Sequence, residues 1–222
     1  MPPENYDLVV RDEIVHGRTY TLLGLRDFEQ AVTELCDHVL AGGDRRWFEE
    51  WCPMFGVIWP AARALAHEVG SRPLAGTRLL ELGCGLALPS MVAAAGGARV
   101  VATDQHPHTW RLLEENLRRN GLDVRFVPFD WRAPAPDEVP ERGFDHVVAS
   151  DVLYTRDMPD LVAATFDRFL APEGRGILAD PGRPWLGEFV DAARVRGLRV
   201  DLDATDDTFL LQVLRVPVGE AP

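Results

Sequence analysis

From about residue 73 onward, strand-like and helix-like segments alternate without a break, and that alternation leaves very few folds open to the chain. Strand patterns fall at 78–82 (RLLEL), 99–104 (RVVATD), 123–128, 144–151, 174–180, 198–203 and 207–216, with helical spacing at 87–95, 106–120, 157–170 and 184–196 between them. Strands separated by a helix pair in parallel through right-handed crossovers. The expected fold is therefore α/β: a doubly wound, mostly parallel seven-stranded Rossmann-like sheet. The end of the chain departs from this rule. LRVDLDATDDTFLLQVLRV (198–216) holds two strand-like runs joined by a polar turn with no room for a helix, so the last strand should run antiparallel.

The first 70 residues follow another pattern. YDLVVRDEIVHGRTYTLLGL alternates about His16-Gly17 and reads as a hairpin, while RDFEQAVTELCDHVLAG is an amphipathic helix ending at Gly42-Gly43. WPAARALAHEVG is a second helix, with Pro60 in its first turn and Gly70 just past its end. Residues 1–70 are expected to form a hairpin-plus-helix cap on the same domain as a core spanning 71–222. The proline-rich stretch APAPDEVPERG (133–143) is a surface loop.

Composition narrows the function. The chain has 222 residues, 46% of them hydrophobic, which suffices for one domain with a full core but nowhere approaches a membrane span. A net charge of −12 with no basic block argues against a nucleic-acid partner. The cysteines, at 36, 52 and 84, are odd in number and lack metal-ligand spacing, so neither a disulfide framework nor a metal site is expected. With no basic start or apolar segment in MPPENYDLVV, the expected location is the cytoplasm. All 23 basic residues are arginine, a bias that the codon usage of a GC-rich genome explains.

The stretch LLELGCGLALPS (79–90) carries the chemistry: a strand ends in an acid, a glycine turn follows, and a helix begins. A dinucleotide fingerprint needs Gly-x-Gly-x-x-Gly, and Leu88 stands at its last position. Glu81, Gly83 and Gly85 instead match acid-x-Gly-x-Gly-x-Gly, the signature of class I S-adenosylmethionine-dependent methyltransferases, with Ala87 where the last glycine is usual. The alanine adds a methyl where helix and backbone approach. S-adenosyl-L-methionine carries a sulfonium, an ammonium and ribose hydroxyls but no phosphate, so its pocket calls for acceptors. Glu81 lies beside the amino-acid end, and Asp104, 21 residues after Gly83, can accept from both ribose hydroxyls. Asp130 can take the adenine amino group, with Trp131 offering a ring face. Cys84, Gln105 and Ser150, beside these acids, complete the expected cofactor wall. Glu81 or Asp104 alone fits helix capping equally well. Four acids (Glu81, Asp104, Asp130 and Asp151) closing four successive strands converge on one crevice, which capping does not require.

The ordered set WP (Trp59, Pro60), ELGCGLALPS, ATD, FDW and Asp151-Val152-Leu153-Tyr154 resembles the seven-strand protein-lysine methyltransferases and bacterial nicotinamide N-methyltransferase-like relatives, over residues 45–216. The resemblance implies that Trp59 and the glycine turn line the cofactor pocket, and that Asp151 and Tyr154 border the transferable methyl and the acceptor. Trp59 also fits as an anchor of its helix, and Tyr154 as a core residue with its hydroxyl at the rim. Asp180 and Trp185, in ADPGRPW, follow strand five on the same rim, where they suit either substrate binding or a turn beside a buried Trp. His106 and His108 suit a helix start better than a base. An amine must be neutral to attack, and Asp151 or Tyr154 could orient it and help remove its proton. Lysine of a protein acceptor is the expected target. A small-molecule amine, heteroaromatic nitrogen or oxygen is the alternative, and a cofactor-binding interaction module without catalysis is a third.

Overall fold

A computed structural model describes residues 6–42, 44, 51–204 and 207–216. The chain opens with β1 (Leu8–Val15) and β2 (Arg18–Leu25), an antiparallel hairpin that turns at His16 and Gly17, both at positive φ. Helix α1 (Phe28–Leu40) is capped by Asp27, whose carboxylate accepts the Gln30 N–H. Gly43, expected at its end, lies outside the described residues. A 3-10 turn at Pro53–Gly56 leads to α2 (Pro60–Gly70). Gly70 is the last helical residue and Ser71 the cap, so the glycine falls inside the helix and not past it.

The core continues as β3 (Arg78–Leu82), α3 (Leu88–Ala95), β4 (Arg99–Asp104), α4 (Thr109–Asn120), β5 (Arg125–Pro128), β6 (Phe144–Ser150), α5 (Met158–Phe169), β7 (Leu170–Asp180), α6 (Leu186–Val195), β8 (Leu198–Ala204) and β9 (Phe209–Arg215). Its sheet has the order β5-β4-β3-β6-β7-β9-β8. The first five of these strands pair in parallel, and β9 runs antiparallel to both β7 and β8. Strand order reverses between β3 and β6, and the crevice beyond their carboxyl ends is where such sheets bind ligands.

The alternating sheet residues feed two apolar layers. Leu79, Ala102 and Val148 pack with Leu65 and Val69 of α2, Met91 of α3 and Leu113 of α4. Leu80, Leu82, Val147 and Leu178 face Phe166 of α5 and Phe189 of α6. Tyr20 and Leu22 of the hairpin join the first layer. The open edge of β2 is clipped by α4. Asn116 accepts the Leu23 N–H at 2.6 Å and donates to its carbonyl at 3.0 Å. Asn120 does the same for Thr21, both at 2.9 Å. Two side-chain amides thus satisfy backbone groups that a third strand would otherwise pair.

Candidate active site

The crevice floor is set by backbone. Gly83 and Gly85 follow β3 at φ 63° and 50°. A Cβ at Gly83 would meet Val152 at 3.3 Å and the Trp131 ring at 3.4 Å, and one at Gly85 would meet the Phe55 carbonyl oxygen at 3.1 Å. Ala87 caps α3 at φ 58° and ψ 36°. The constraint at this position is therefore the left-handed backbone, which costs a residue with a Cβ about 1–2 kcal/mol. The added methyl itself is fully buried among core residues.

Glu81 is buried beneath this turn and accepts the Ser90 N–H at 3.0 Å and the Ser90 hydroxyl. Burial pushes its pKa up to about 8, against those two donors. Glu81 thus takes the Ser90 N–H in the first turn of α3, one of the amides a pyrophosphate would use, which tells against a dinucleotide and agrees with a phosphate-free ligand. Cys84 is buried, its N–H bonded to the Thr103 carbonyl at 2.9 Å and its thiol pKa driven up by burial.

Asp104 ends β4 with both oxygens engaged: Oδ2 accepts from the Gly85 N–H at 3.0 Å and Oδ1 from the His106 N–H at 2.8 Å. Burial raises its pKa, and these N–H groups oppose the rise. Gln105 beside it is exposed. Beyond β5, Asp130 is exposed and accepts the Arg132 N–H at 3.0 Å. The Trp131 indole N–H is buried with no partner among the described residues, and its ring lies over the glycine turn. Carboxylate acceptors, a ring face and one unpaired donor around a glycine cradle fit S-adenosyl-L-methionine.

On the other side of the reversal, Ser150 is half-buried and pairs in register with Ala179. Asp151 takes the left-handed conformation at φ 57°, its N–H bonded to the Ala179 carbonyl at 2.9 Å. Its Oδ1 receives Nε and Nη2 of Arg183, each at 2.6 Å. Asp180 is fully buried; Oδ1 accepts the Gly182 and Arg183 N–H groups at 2.8 and 2.7 Å, while Oδ2 has no partner among the described residues. Asp180 therefore shapes the turn that delivers Arg183 to Asp151. Tyr154 is half-buried, and its phenol pKa is raised first by burial and then by the Asp104 carboxylate, with Arg132 opposing. The phenol thus stays protonated at neutral pH. Trp185 caps α6 and packs against the α5–α6 layer. Trp59 donates its indole N–H to the Met54 carbonyl at 3.0 Å and meets Phe28 of α1 edge-on at 5.3 Å, so its recorded contacts lie with the N-terminal cap.

The structure thus gathers Gly83, Gly85, Asp104, Trp131, Asp151, Tyr154 and Asp180 along the crossover edge. Three neighbours escaped sequence reasoning. Arg183 lies inside the ADPGRPW segment, where a cation three residues after an acid was a usable signal. Phe55 carries no signal in the sequence. His106, expected only at a helix start, stacks on Phe55 with ring centroids 4.1 Å apart and planes at 27°. Burial holds its imidazole down at about pKa 4, so the ring is neutral at working pH.

A reversed-order sheet with one antiparallel strand and a phosphate-free glycine turn define the class of seven-strand S-adenosylmethionine-dependent methyltransferases. A model of the lysine methyltransferase family matches residues 49–183, and the chain belongs to that family. Its cofactor is S-adenosyl-L-methionine. Among curated relatives, the chain is 32% identical over 176 residues to the protein N-terminal and lysine N-methyltransferase EFM7 of Eremothecium gossypii, covering 68% of this chain and 66% of that protein. It is 33% identical over 121 residues to the histone-arginine methyltransferase METTL23 of Xenopus laevis, covering 51% of this chain and 50% of that protein. The chain thus spans between half and two thirds of the length of these relatives. The fold also matches the 16S rRNA N2 G1207 methyltransferase RsmC of T. thermophilus, solved with AdoMet and guanosine. The TM-score is 0.68 at 17% identity, over 97% of this chain and 52% of that one.

Proposed function

We propose that this chain transfers a methyl group from S-adenosyl-L-methionine to the side-chain nitrogen of a lysine in a protein acceptor, in the cytoplasm. The observation that carries this reading is the division of the crevice. Beside the glycine turn, Glu81 and Asp104 take N–H and hydroxyl donors, and an Arg-paired Asp151 stands beside a protonated Tyr154 across the strand reversal. The family match and the lysine-directed name of the Eremothecium relative support the acceptor class.

When bound, the cofactor supplies a methyl group already activated by its sulfonium. Asp104 would hold the ribose, Asp130 and Trp131 the adenine, and Glu81 the amino-acid end, with Trp59, Gly83, Cys84, Gly85, Gln105 and Ser150 completing the wall. Asp151, fixed by Arg183, would accept an N–H of the incoming amine, and the Tyr154 hydroxyl would steady the same nitrogen. Both groups act by alignment, which contributes most of what an in-line displacement needs from a protein. Asp180 and Trp185 would border the acceptor's path. Residues 1–70 act as a cap on the same domain as 71–222. No nucleic-acid or membrane partner is proposed, and no helix among the described residues is long and apolar enough to cross a membrane.

A second reading, transfer to a protein arginine, is favoured by the name of the Xenopus relative. Incubating the pure protein with labelled cofactor and cell lysate, then mapping the label by mass spectrometry, tests both readings. Label on lysine supports the first, and label on arginine the second. Label confined to small molecules, or none, overturns both. The chain contains no lysine, so labelled lysine cannot come from self-methylation.

A further inference from the structure

The residues that hold Asp104 form a closed ring that passes through the N-terminal cap. Asp104 accepts the N–H groups of Gly85 and His106 at 3.0 and 2.8 Å. Phe55 touches both partners. Its backbone lies against Gly85, where a Cβ would come within 3.1 Å of its carbonyl oxygen, and its ring stacks on the His106 imidazole at 4.1 Å. The cap reinforces this contact from two more points. Tyr6 pairs its hydroxyl with His108 Nδ1 at 3.0 Å, and Trp51 meets the His106 and His108 rings edge-on at 6.0 and 5.0 Å. The His108 N–H in turn bonds to His106 Nδ1 at 3.1 Å, which fixes that ring's tautomer and tilt.

We infer that Phe55 and His106 are positioning residues for the cofactor: the cap clasps the β4–α4 turn against the glycine turn and thereby aims the Asp104 carboxylate. The inference rests on the proposal that Asp104 binds the ribose. Without the clasp, two N–H donors on separate loops must find Asp104 unaided, and the carboxylate loses the preorganisation on which tight binding depends. Cofactor affinity is then tied to docking of the N-terminal cap, although the cap residues need not touch the cofactor. Methyl transfer on the far side of the crevice should proceed at its usual rate once cofactor saturates.

A double-mutant cycle read by calorimetric binding of S-adenosylhomocysteine tests this, with the unliganded melting temperature of each variant as the folding check. Phe55→Leu should weaken binding by about tenfold in the parent, and by no more than about twofold in an Asp104→Ala background, because the effect runs through that carboxylate. His106→Phe keeps a stacking ring and should retain parental affinity, whereas His106→Ala should repeat the Phe55→Leu loss. Turnover at saturating cofactor should stay near parental in Phe55→Leu. Equal losses in both backgrounds, or His106→Phe as weak as His106→Ala, overturn the clasp while leaving Asp104 a ligand. Parental affinity in Asp104→Ala alone overturns the ribose role of Asp104, and the clasp with it. Variants that melt lower yet bind with parental affinity show a purely structural contact and also overturn it.

Discussion

On the β3–β4 side of the strand reversal, Glu81 and Asp104 are buried and, among the described residues, are met by N–H and O–H donors. On the β6–β7 side, Asp151 meets the Arg183 guanidinium, while the exposed Arg132, beyond β5, lies between Asp130 on the first side and Asp157 on the second. The difference concerns where positive charge comes from. Around the glycine turn, burial raises the Glu81 and Asp104 pKa values and no cation among the described residues offsets the rise, so a cationic ligand can supply positive charge. Around Asp151 the cation is built in, and Arg183 holds the carboxylate in one orientation. One half is therefore electrostatically incomplete without its ligand, whereas the other is pre-set for alignment.

The sharpest way to break this comparison is on the acceptor half. Asp151→Asn and Tyr154→Phe should each lower turnover roughly a hundredfold while cofactor affinity stays within about twofold, since alignment is lost and ground-state cofactor contacts are not. Steady-state kinetics beside calorimetry reads both. Parental turnover in Tyr154→Phe would make that residue structural.

Asp104→Ala, on the cofactor half, should show the opposite split. Affinity should fall by about 2 kcal/mol, roughly thirtyfold, because an ionised acceptor and the tether of two N–H groups go together. An unchanged dissociation constant would remove Asp104 from the site.

A smaller effect should appear in stability against pH. Glu81 has a folded pKa near 8 against an ordinary 4.5. Between those values the folded chain holds a proton that the unfolded chain has released, so stability is fully present below about pH 4.5 and declines as pH rises through 8. The unliganded protein should lose on the order of 1–2 kcal/mol from pH 6 to 8, and Glu81→Gln should flatten that slope. Denaturant melts across pH test this, and a parental slope in the variant assigns the proton to another group. The smallest effect belongs to the exposed rim. Arg132→Ala should change stability by less than about 1 kcal/mol, because its partners Asp130 and Asp157 are open to screening solvent. A larger loss in thermal melts would show that the rim pair is part of the pre-set half.

The strand-and-helix order was legible in the sequence because each sheet residue alternates between two apolar layers and each helix carries one apolar face. That local periodicity placed β3 and β4 to the residue and foretold the antiparallel β9. It also brought four acids to the ends of four strands, since parallel strands all finish at one edge. Helix starts were less legible. The pattern at 87–95 and 106–120 begins early, because Ala87 adopts a left-handed turn and His106–His108 serve the Asp104 turn before α4 starts at Thr109. Periodicity records which face is apolar and not where backbone hydrogen bonds begin.

By itself, then, the sequence determined the fold class, the glycine turn that rejects a pyrophosphate and the order of the acids, all of them consequences of local spacing. Only the tertiary structure decided what each acid meets. Glu81 meets Ser90, nine residues on, Asp104 meets the Gly85 N–H, 19 residues before it, and Asp151 is held by Arg183, 32 residues later. Such contacts arise from chain crossovers that bring distant segments to one edge of the sheet, and no local pattern in the sequence encodes which of them will meet.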